Sequence, residues 1–170
     1  MKLSHRIAPC LWFDHEAEEA ARYYTSIFPN SAIRRISRYT KAGFEIHGRP
    51  AGSVMTVEFD LDGHVFTALN GGPLFKFNES ISFEIYCETQ EEVDRYWNRL
   101  TQGGDPNAQQ CGWLKDKYGL SWQVVPIAML RMFDGSEGSE RAMKAMLEMK
   151  KLDISELERA WAGETAVTLG

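Results

Sequence analysis

The sequence has no long apolar run, no concentrated positive charge, and only three cysteines and four histidines in 170 residues. Each shortage excludes something. A bilayer-spanning helix takes roughly 20 consecutive apolar residues, and no stretch here approaches that, so no membrane partner is expected. Nucleic-acid-binding surfaces show clustered Lys and Arg. Here the net charge is −5, the basic pairs Arg34-Arg35 and Lys150-Lys151 read as solvated surface, and no nucleic-acid partner is expected. Cys10, Cys87 and Cys111 are odd in number, widely spaced and free of any CxxC pair, so neither a disulfide framework nor a zinc pattern is expected. Buried free thiols in a reducing cytoplasm fit better. No apolar stretch follows the N-terminal charges, which argues against a secretory signal and for a cytoplasmic location.

What is present suits a globular core: 44% of the residues are hydrophobic, too many for a disordered chain. Ile7 to Phe13 reads as a buried strand, with Pro9 marking an edge or a strand start. Asp14 is the expected N-cap of a helix whose core face is Ala17, Ala20, Ala21, Tyr24, Ile27 and Phe28. Ala32 to Tyr39 is an expected strand, and residues 41–52 a loop. Ser53 to Leu61 alternates with a period of two, and Asp62-Gly63 is a strong hairpin signal before the strand from His64 to Leu69. Asn70-Gly71-Gly72-Pro73 then breaks the chain.

Beyond the break the same grammar restarts. Ser80 to Cys87 reads as a strand, and Thr89 with Glu92 has the spacing of a capping box. Val93, Tyr96, Trp97 and Leu100 mark an amphipathic helix. Trp113 to Asp116 and Leu120 to Val125 read as a hairpin. Glu18-Glu19 with Arg22-Tyr23 matches Glu91-Glu92 with Arg95-Tyr96, and Asp60-x-x-Gly63 matches Asp116-x-x-Gly119. The shared order points to an internal duplication. The tail adds a Met-rich helix from Ser139 to Lys150 and a last helix capped by Asp153. Two readings of it stay open: it covers a sheet edge, or it makes a dimer contact.

Several long segments resemble the PhnB-like family of the glyoxalase/bleomycin-resistance/dioxygenase, or vicinal oxygen chelate, superfamily. They are Cys10-Leu-Trp-Phe-Asp14, Glu18-Glu-Ala-Ala-Arg-Tyr-Tyr24, Gly52-Ser-Val-Met-Thr56 and Ala68-Leu-Asn-Gly-Gly-Pro73. Phe75-Lys-Phe-Asn78, Cys111-Gly-Trp-Leu-Lys-Asp-Lys-Tyr-Gly119 and Ser121-Trp-Gln-Val-Val-Pro126 extend the likeness, and the tail from Ala145 shares it. The resemblance implies an α+β fold in which two βαβββ modules, residues 1–72 and 73–130, form curved mixed sheets around a cavity. A helical tail over residues 131–170 follows. It also implies a homodimer. Members are often labelled demethylubiquinone methyltransferases. A site for S-adenosylmethionine commonly shows a Gly-rich turn between a strand and a helix, whereas Gly71-Gly72 lies between two strands.

Metal-using relatives hold a divalent ion with His and Glu from the first and last strand of each module. By the resemblance, those positions are Thr67, Gln123, Ser82 and a residue near Ile7 to Pro9. None is His, Asp, Glu or Cys, and neutral hydroxyls and amides hold such ions weakly, so no metal and no cofactor are expected. Of the histidines, His5 stands nearest a ligand strand.

The candidate ligand-binding residues are therefore Thr67, Asn70, Ser82, Glu84, Trp113 and Gln123. Hydroxyls and an amide orient a ligand in an apolar cavity. Glu84 acts as a base if burial raises its pKa, or simply meets water or a neighbour. Trp113 stacks on a flat or cationic ligand, or is plain core. Asn70 donates at the cavity mouth, or serves its turn. The leading expectation is a protein that binds an unknown small organic ligand. The alternatives are an enzyme, metal-dependent or using Glu84, and an interaction protein acting through its tail.

Overall fold

The computed structural model describes residues 6–164, which excludes His5. The fold is α+β, with two mixed sheets and C-terminal helices. The chain divides after Phe77 into two compact units.

In the first unit, β1 (Cys10–Phe13) is followed by α1 (Ala17–Ile27), β2 (Ala32–Arg38), a short α2 (Phe44–His47), β3 (Val54–Leu61) and β4 (His64–Asn70). The sheet order is β1-β4-β3-β2. β1 runs parallel to β4, and the other pairs are antiparallel. Pro9 precedes the first strand rather than sitting within it, and its carbonyl accepts from Thr67 N at 3.0 Å. A residue without an N–H opens a ladder without leaving a gap in it. The Asp62-Gly63 turn places both residues at positive φ, 44° and 79°, as a two-residue hairpin of the favoured twist requires. Ala17, Ala20, Ala21, Tyr24 and Ile27 of α1 are all buried, and they pack with Leu11, Phe13, Val57, Phe59, Phe66 and Ala68 as the core of this unit.

Asp14 does not cap α1. The residue at the N-cap is Glu16, which makes no side-chain cap bond. Asp14 Oδ1 instead accepts from Arg49 Nη2 at 2.8 Å. That guanidinium holds the Asp14 carboxyl below the usual carboxylate range. The loop expected over residues 41–52 also contains the single turn of α2, flanked by Gly43 and Gly48 in left-handed conformations.

In the second unit, β5 (Ser82–Cys87), α3 (Gln90–Leu100), β6 (Trp113–Lys115) and β7 (Ser121–Pro126) give a sheet of order β5-β7-β6. Thr89 caps α3 by accepting from Glu92 N, and Glu92 Oε2 accepts from Glu88 N at 2.8 Å. Where the repeat implies a further strand, Pro106–Ala108 forms a 3-10 turn capped by Asp105. Only an isolated bridge joins Gln110 to Trp113. The two Asp-x-x-Gly turns also differ in use. Asp116 is buried, accepts from Tyr118 N and Leu120 N, and takes the Trp122 indole N–H at 2.9 Å. Asp60 pairs with Arg34 across the sheet.

The tail comprises α4 (Met129–Met132), α5 (Glu137–Leu147) and α6 (Ile154–Ala162). Met129, Met132, Ala142, Met149, Leu152 and Leu157 form its own buried cluster. Asp153 caps α6 by accepting from Glu156 N at 2.9 Å. The segment between α5 and α6 docks beside β6, where Cys111 N and Gly112 N donate to Met149 O and Lys150 O at 2.8 Å. Gln90 anchors the same segment, donating to Leu152 O and accepting from Ile154 N. Among the described residues, no helix is long and apolar enough to cross a membrane.

Candidate functional site

Strand parity separates two faces in the second sheet. Ile85, Cys87, Leu114, Trp122 and Val124 are buried on the side where α3 packs. The register pairs Ser82 with Ser121 and Glu84 with Gln123. It also pairs Trp113 with Gln123 and Lys115 with Ser121. Paired residues share a face, so Ser82, Glu84, Trp113, Lys115, Ser121 and Gln123 all project from the side opposite α3.

Three of the four expected site residues on this face are interlocked or flank one another. Gln123 Nε2 donates to Ser82 Oγ at 2.9 Å, so the two positions where the family pattern puts metal ligands satisfy each other. Trp113 opens β6 directly across from Gln123. Glu84 is exposed, and its Oε2 accepts from the Tyr86 hydroxyl at 2.6 Å. The carboxylate beside that phenol pushes the Tyr86 pKa up. The burial that a catalytic base would use is absent at Glu84.

A cavity of about 490 Å³ opens at this face, bounded by Glu79, Asn107, Gln110, Trp113, Lys115 and Ser121 among others. That volume falls within the range usual for small-molecule sites. Ser121 is only 1% exposed, and its hydroxyl finds no hydrogen-bond partner among the described residues. A buried hydroxyl left unpaired costs roughly 1–3 kcal/mol, and this oxygen exposes under 1 Å², so a partner from the cavity reaches it only as neighbouring side chains shift. Lys115 is 24% exposed and pairs with the carboxylate of Glu79, itself 62% exposed. That ammonium holds the Glu79 carboxyl below its ordinary range. Gln110, on the rim, donates to Leu147 O, so the tail steadies one wall.

A larger cavity, about 600 Å³, lies between α4 and α6 and is bordered by Arg131, Glu158, Arg159 and Trp161. Every polar residue lining it is exposed. It lacks the unpaired buried group that distinguishes the sheet-face cavity, which makes the latter the better candidate.

In the first sheet, Thr67 sits between Cys10 and Glu58 in the register, on the face away from α1. Glu58 is the carboxylate nearest it in the ladder, and it pairs with Arg35 at 3.4 Å. Asn70 points the other way. Its Oδ1 accepts from Ala17 N at 2.8 Å and its Nδ2 donates to Val54 O at 3.0 Å. It is buried, and it supplies the cap that Glu16 does not.

The comparisons with known proteins follow the same lines. The profile of the 3-demethylubiquinone-9 3-methyltransferase family matches residues 5–125. A PhnB protein from Bacillus cereus, bearing the same methyltransferase name, is 36% identical; the alignment covers 72% of this chain and 99% of that one, with a TM-score of 0.61. The chain belongs to this PhnB-like family. A Pseudomonas aeruginosa protein shares the fold at 20% identity and a TM-score of 0.53, covering 72% of this chain and 98% of its own. A glyoxylase/bleomycin resistance protein/dioxygenase domain from Frankia sp. is 16% identical over 74% of this chain and 93% of its own, with a TM-score of 0.45. No curated protein matches the sequence. The PhnB-like profile match ends one residue before β7 does, so α4 to α6 lie beyond it.

The superfamily's divalent ion does not fit the residues present at its expected positions. Thr67, Ser82 and Gln123 are neutral donors that hold such ions weakly. Ser82 and Gln123 are bonded to each other, Ile7 is 91% exposed, and Pro9 has no side-chain donor. Among the described residues, no group of three His, Cys, Asp or Glu could hold an ion together. The family's methyltransferase name fits no better with a nucleotide-type cradle. Neither turn into a long helix, residues 14–16 before α1 nor residues 88–89 before α3, contains glycine, and the turn into the short α2 holds Gly43 alone. Gly71 is explained by packing, since a Cβ there would meet the Trp12 ring at 2.2 Å.

Sequence reasoning missed Lys115, Ser121 and Glu79. The first two were available from parity: Lys115 lies two residues beyond Trp113, and Ser121 two before Gln123, so each pair shares a face.

Proposed function

We propose that this PhnB-like protein binds a small organic molecule on the face of its second sheet opposite α3, holding it by hydrogen bonds and aromatic contact rather than through a metal ion. The observation that carries the reading is the buried, unpaired hydroxyl of Ser121 in a cavity of about 490 Å³. Trp113 offers a ring for stacking in the cavity, and the Ser82–Gln123 pair lies on the same face of the sheet outside the cavity's lining. Among the described residues lining it, the one carboxylate, Glu79, is exposed and paired with Lys115, so the site offers hydrogen bonds and an aromatic surface for orienting a ligand.

A thermal-shift screen of small organic compounds, followed by mass analysis of each stabilising compound after incubation, tests this. Stabilisation with the compound recovered unchanged is the expected result, since a ligand that binds only the folded state raises the melting temperature. Conversion of the compound by the protein would favour the enzyme reading instead. A Ser121→Ala variant that responds as strongly as the natural protein would remove the proposed site.

A further inference from the structure

The binding reading leaves the ligand's chemical class open, and the cavity narrows it. We propose that the sheet-face cavity takes a small aromatic carboxylate, with the acid group on Lys115 in place of Glu79 and a hydrogen bond from Ser121. This inference rests on the reading of the cavity as a ligand site.

Three observations converge. The first is the charge on the inner wall. Lys115 projects from β6 into the cavity with its side chain about three-quarters covered, 24% exposed. A covered ammonium is costly unless paired, and its partner here is Glu79, which precedes β5 and is itself 62% exposed. One partner is fixed in a sheet, whereas the other reaches in from solvent, so the pair is built to exchange its carboxylate. The second is Ser121. It is the register partner of Lys115, so its unpaired hydroxyl stands on the same face, at the root of the lysine stem. A carboxylate that turns one oxygen to the ammonium and the other inward to this hydroxyl uses both donors. The third is Trp113, two residues along β6 on the same face, which gives the ligand's body an aromatic surface at stacking height. Glu79 then acts as an internal stand-in for the ligand acid, and it competes with it.

This competition makes the inference testable in a way that a structural role would not imitate. Isothermal titration of the full chain with benzoate and 3-phenylpropionate is compared with the matched amides, benzamide and 3-phenylpropionamide. The acids are expected to bind at least tenfold more tightly than their amides. Lys115→Met is expected to erase that preference, and Ser121→Ala to weaken the acids severalfold. Glu79→Gln, which removes the competitor, is expected to tighten the acids severalfold while leaving the amides unchanged. Circular dichroism melts of each variant identify any that fail to fold, and Lys115→Gln provides a second, polar replacement. Equal binding of acids and amides overturns the carboxylate assignment while the binding-protein reading stands. Acid preference without tightening in Glu79→Gln overturns the exchange. Binding of neither class also overturns the inference, and the compound screen then decides the broader reading on its own.

Discussion

Replacing Asn70 with alanine separates a structural role from a ligand-binding one. Asn70 is buried and bridges two elements: it accepts from the first N–H of α1 at 2.8 Å and donates to the carbonyl of Val54 at 3.0 Å. Alanine would leave both backbone groups without that partner. Each buried group left unpaired costs about 1–3 kcal/mol. Loss of a helix cap alone costs about 1 kcal/mol. Water reaching the vacated volume recovers part of the penalty, so a total near 3 kcal/mol is expected. For a chain of this length that corresponds to a fall in melting temperature of roughly 6–12 °C. Asn70→Asp keeps the acceptor at the helix N-terminus, where negative charge is favoured, but loses the donor to Val54, so it should fall between the two. Urea denaturation followed by circular dichroism measures both. Affinity for any ligand found in the screen should be unchanged in the fraction that remains folded. A cost below about 0.5 kcal/mol, or an affinity loss without a stability loss, would refute the capping argument.

Other outcomes follow from the same structure. Ser121→Ala should leave the free protein as stable as before or slightly more so, by up to about 1 kcal/mol, because it removes an unsatisfied hydroxyl from a buried position; a clear loss in chemical denaturation would show that the hydroxyl has a partner. Burial pushes the Cys87 thiol up to about 12, so it should resist Ellman's reagent at pH 8 until the protein is unfolded. The folded state holds that proton where the unfolded chain releases it, above the ordinary thiol value of 9.0. Cys87 therefore contributes a loss of stability as pH rises from about 9 toward 12, by roughly 1 kcal/mol per unit, and Cys87→Ala should flatten that part of the profile. Asp153→Ala should cost about 1 kcal/mol through loss of the α6 cap. The Asp153 carboxyl is held below its usual range by Ser155 and the Glu156 N–H. Its contribution should accordingly be present above the ordinary carboxylate value and vanish as acid protonates it in the fold, as a pH series of denaturation midpoints would record.

The features that could be read from sequence are the ones decided locally. The Asp62-Gly63 turn, the Thr89 cap and the Asp153 cap each depend on residues within three positions, and each stands where the pattern puts it. Asp14 has the right identity for a cap and the wrong role, because Arg49, 35 residues away, takes its carboxylate. Asn70 is the reciprocal case: its turn sequence gave no sign that the side chain would cap a helix 53 residues earlier. In the second unit the repeat implies a strand that Pro106, lacking an N–H, and the Asp105 cap turn into a 3-10 turn. For the site, the family pattern located Ser82 and Gln123, which do meet. The cavity beside them was hidden, because its depth depends on Glu79 and Asn107 arriving from segments with no periodicity of their own.

Thr67, Ser82 and Gln123 are neutral side chains that hold a divalent ion weakly, and two of them are bonded to each other. Elemental analysis by inductively coupled plasma mass spectrometry tests most directly whether the chain holds such an ion, on untagged protein purified without chelators and then dialysed exhaustively. The expected result is well below one equivalent of any divalent transition metal, with no change in melting temperature on adding zinc, manganese or nickel. One equivalent of a single metal that survives dialysis, and whose removal lowers the melting temperature, would contradict the account.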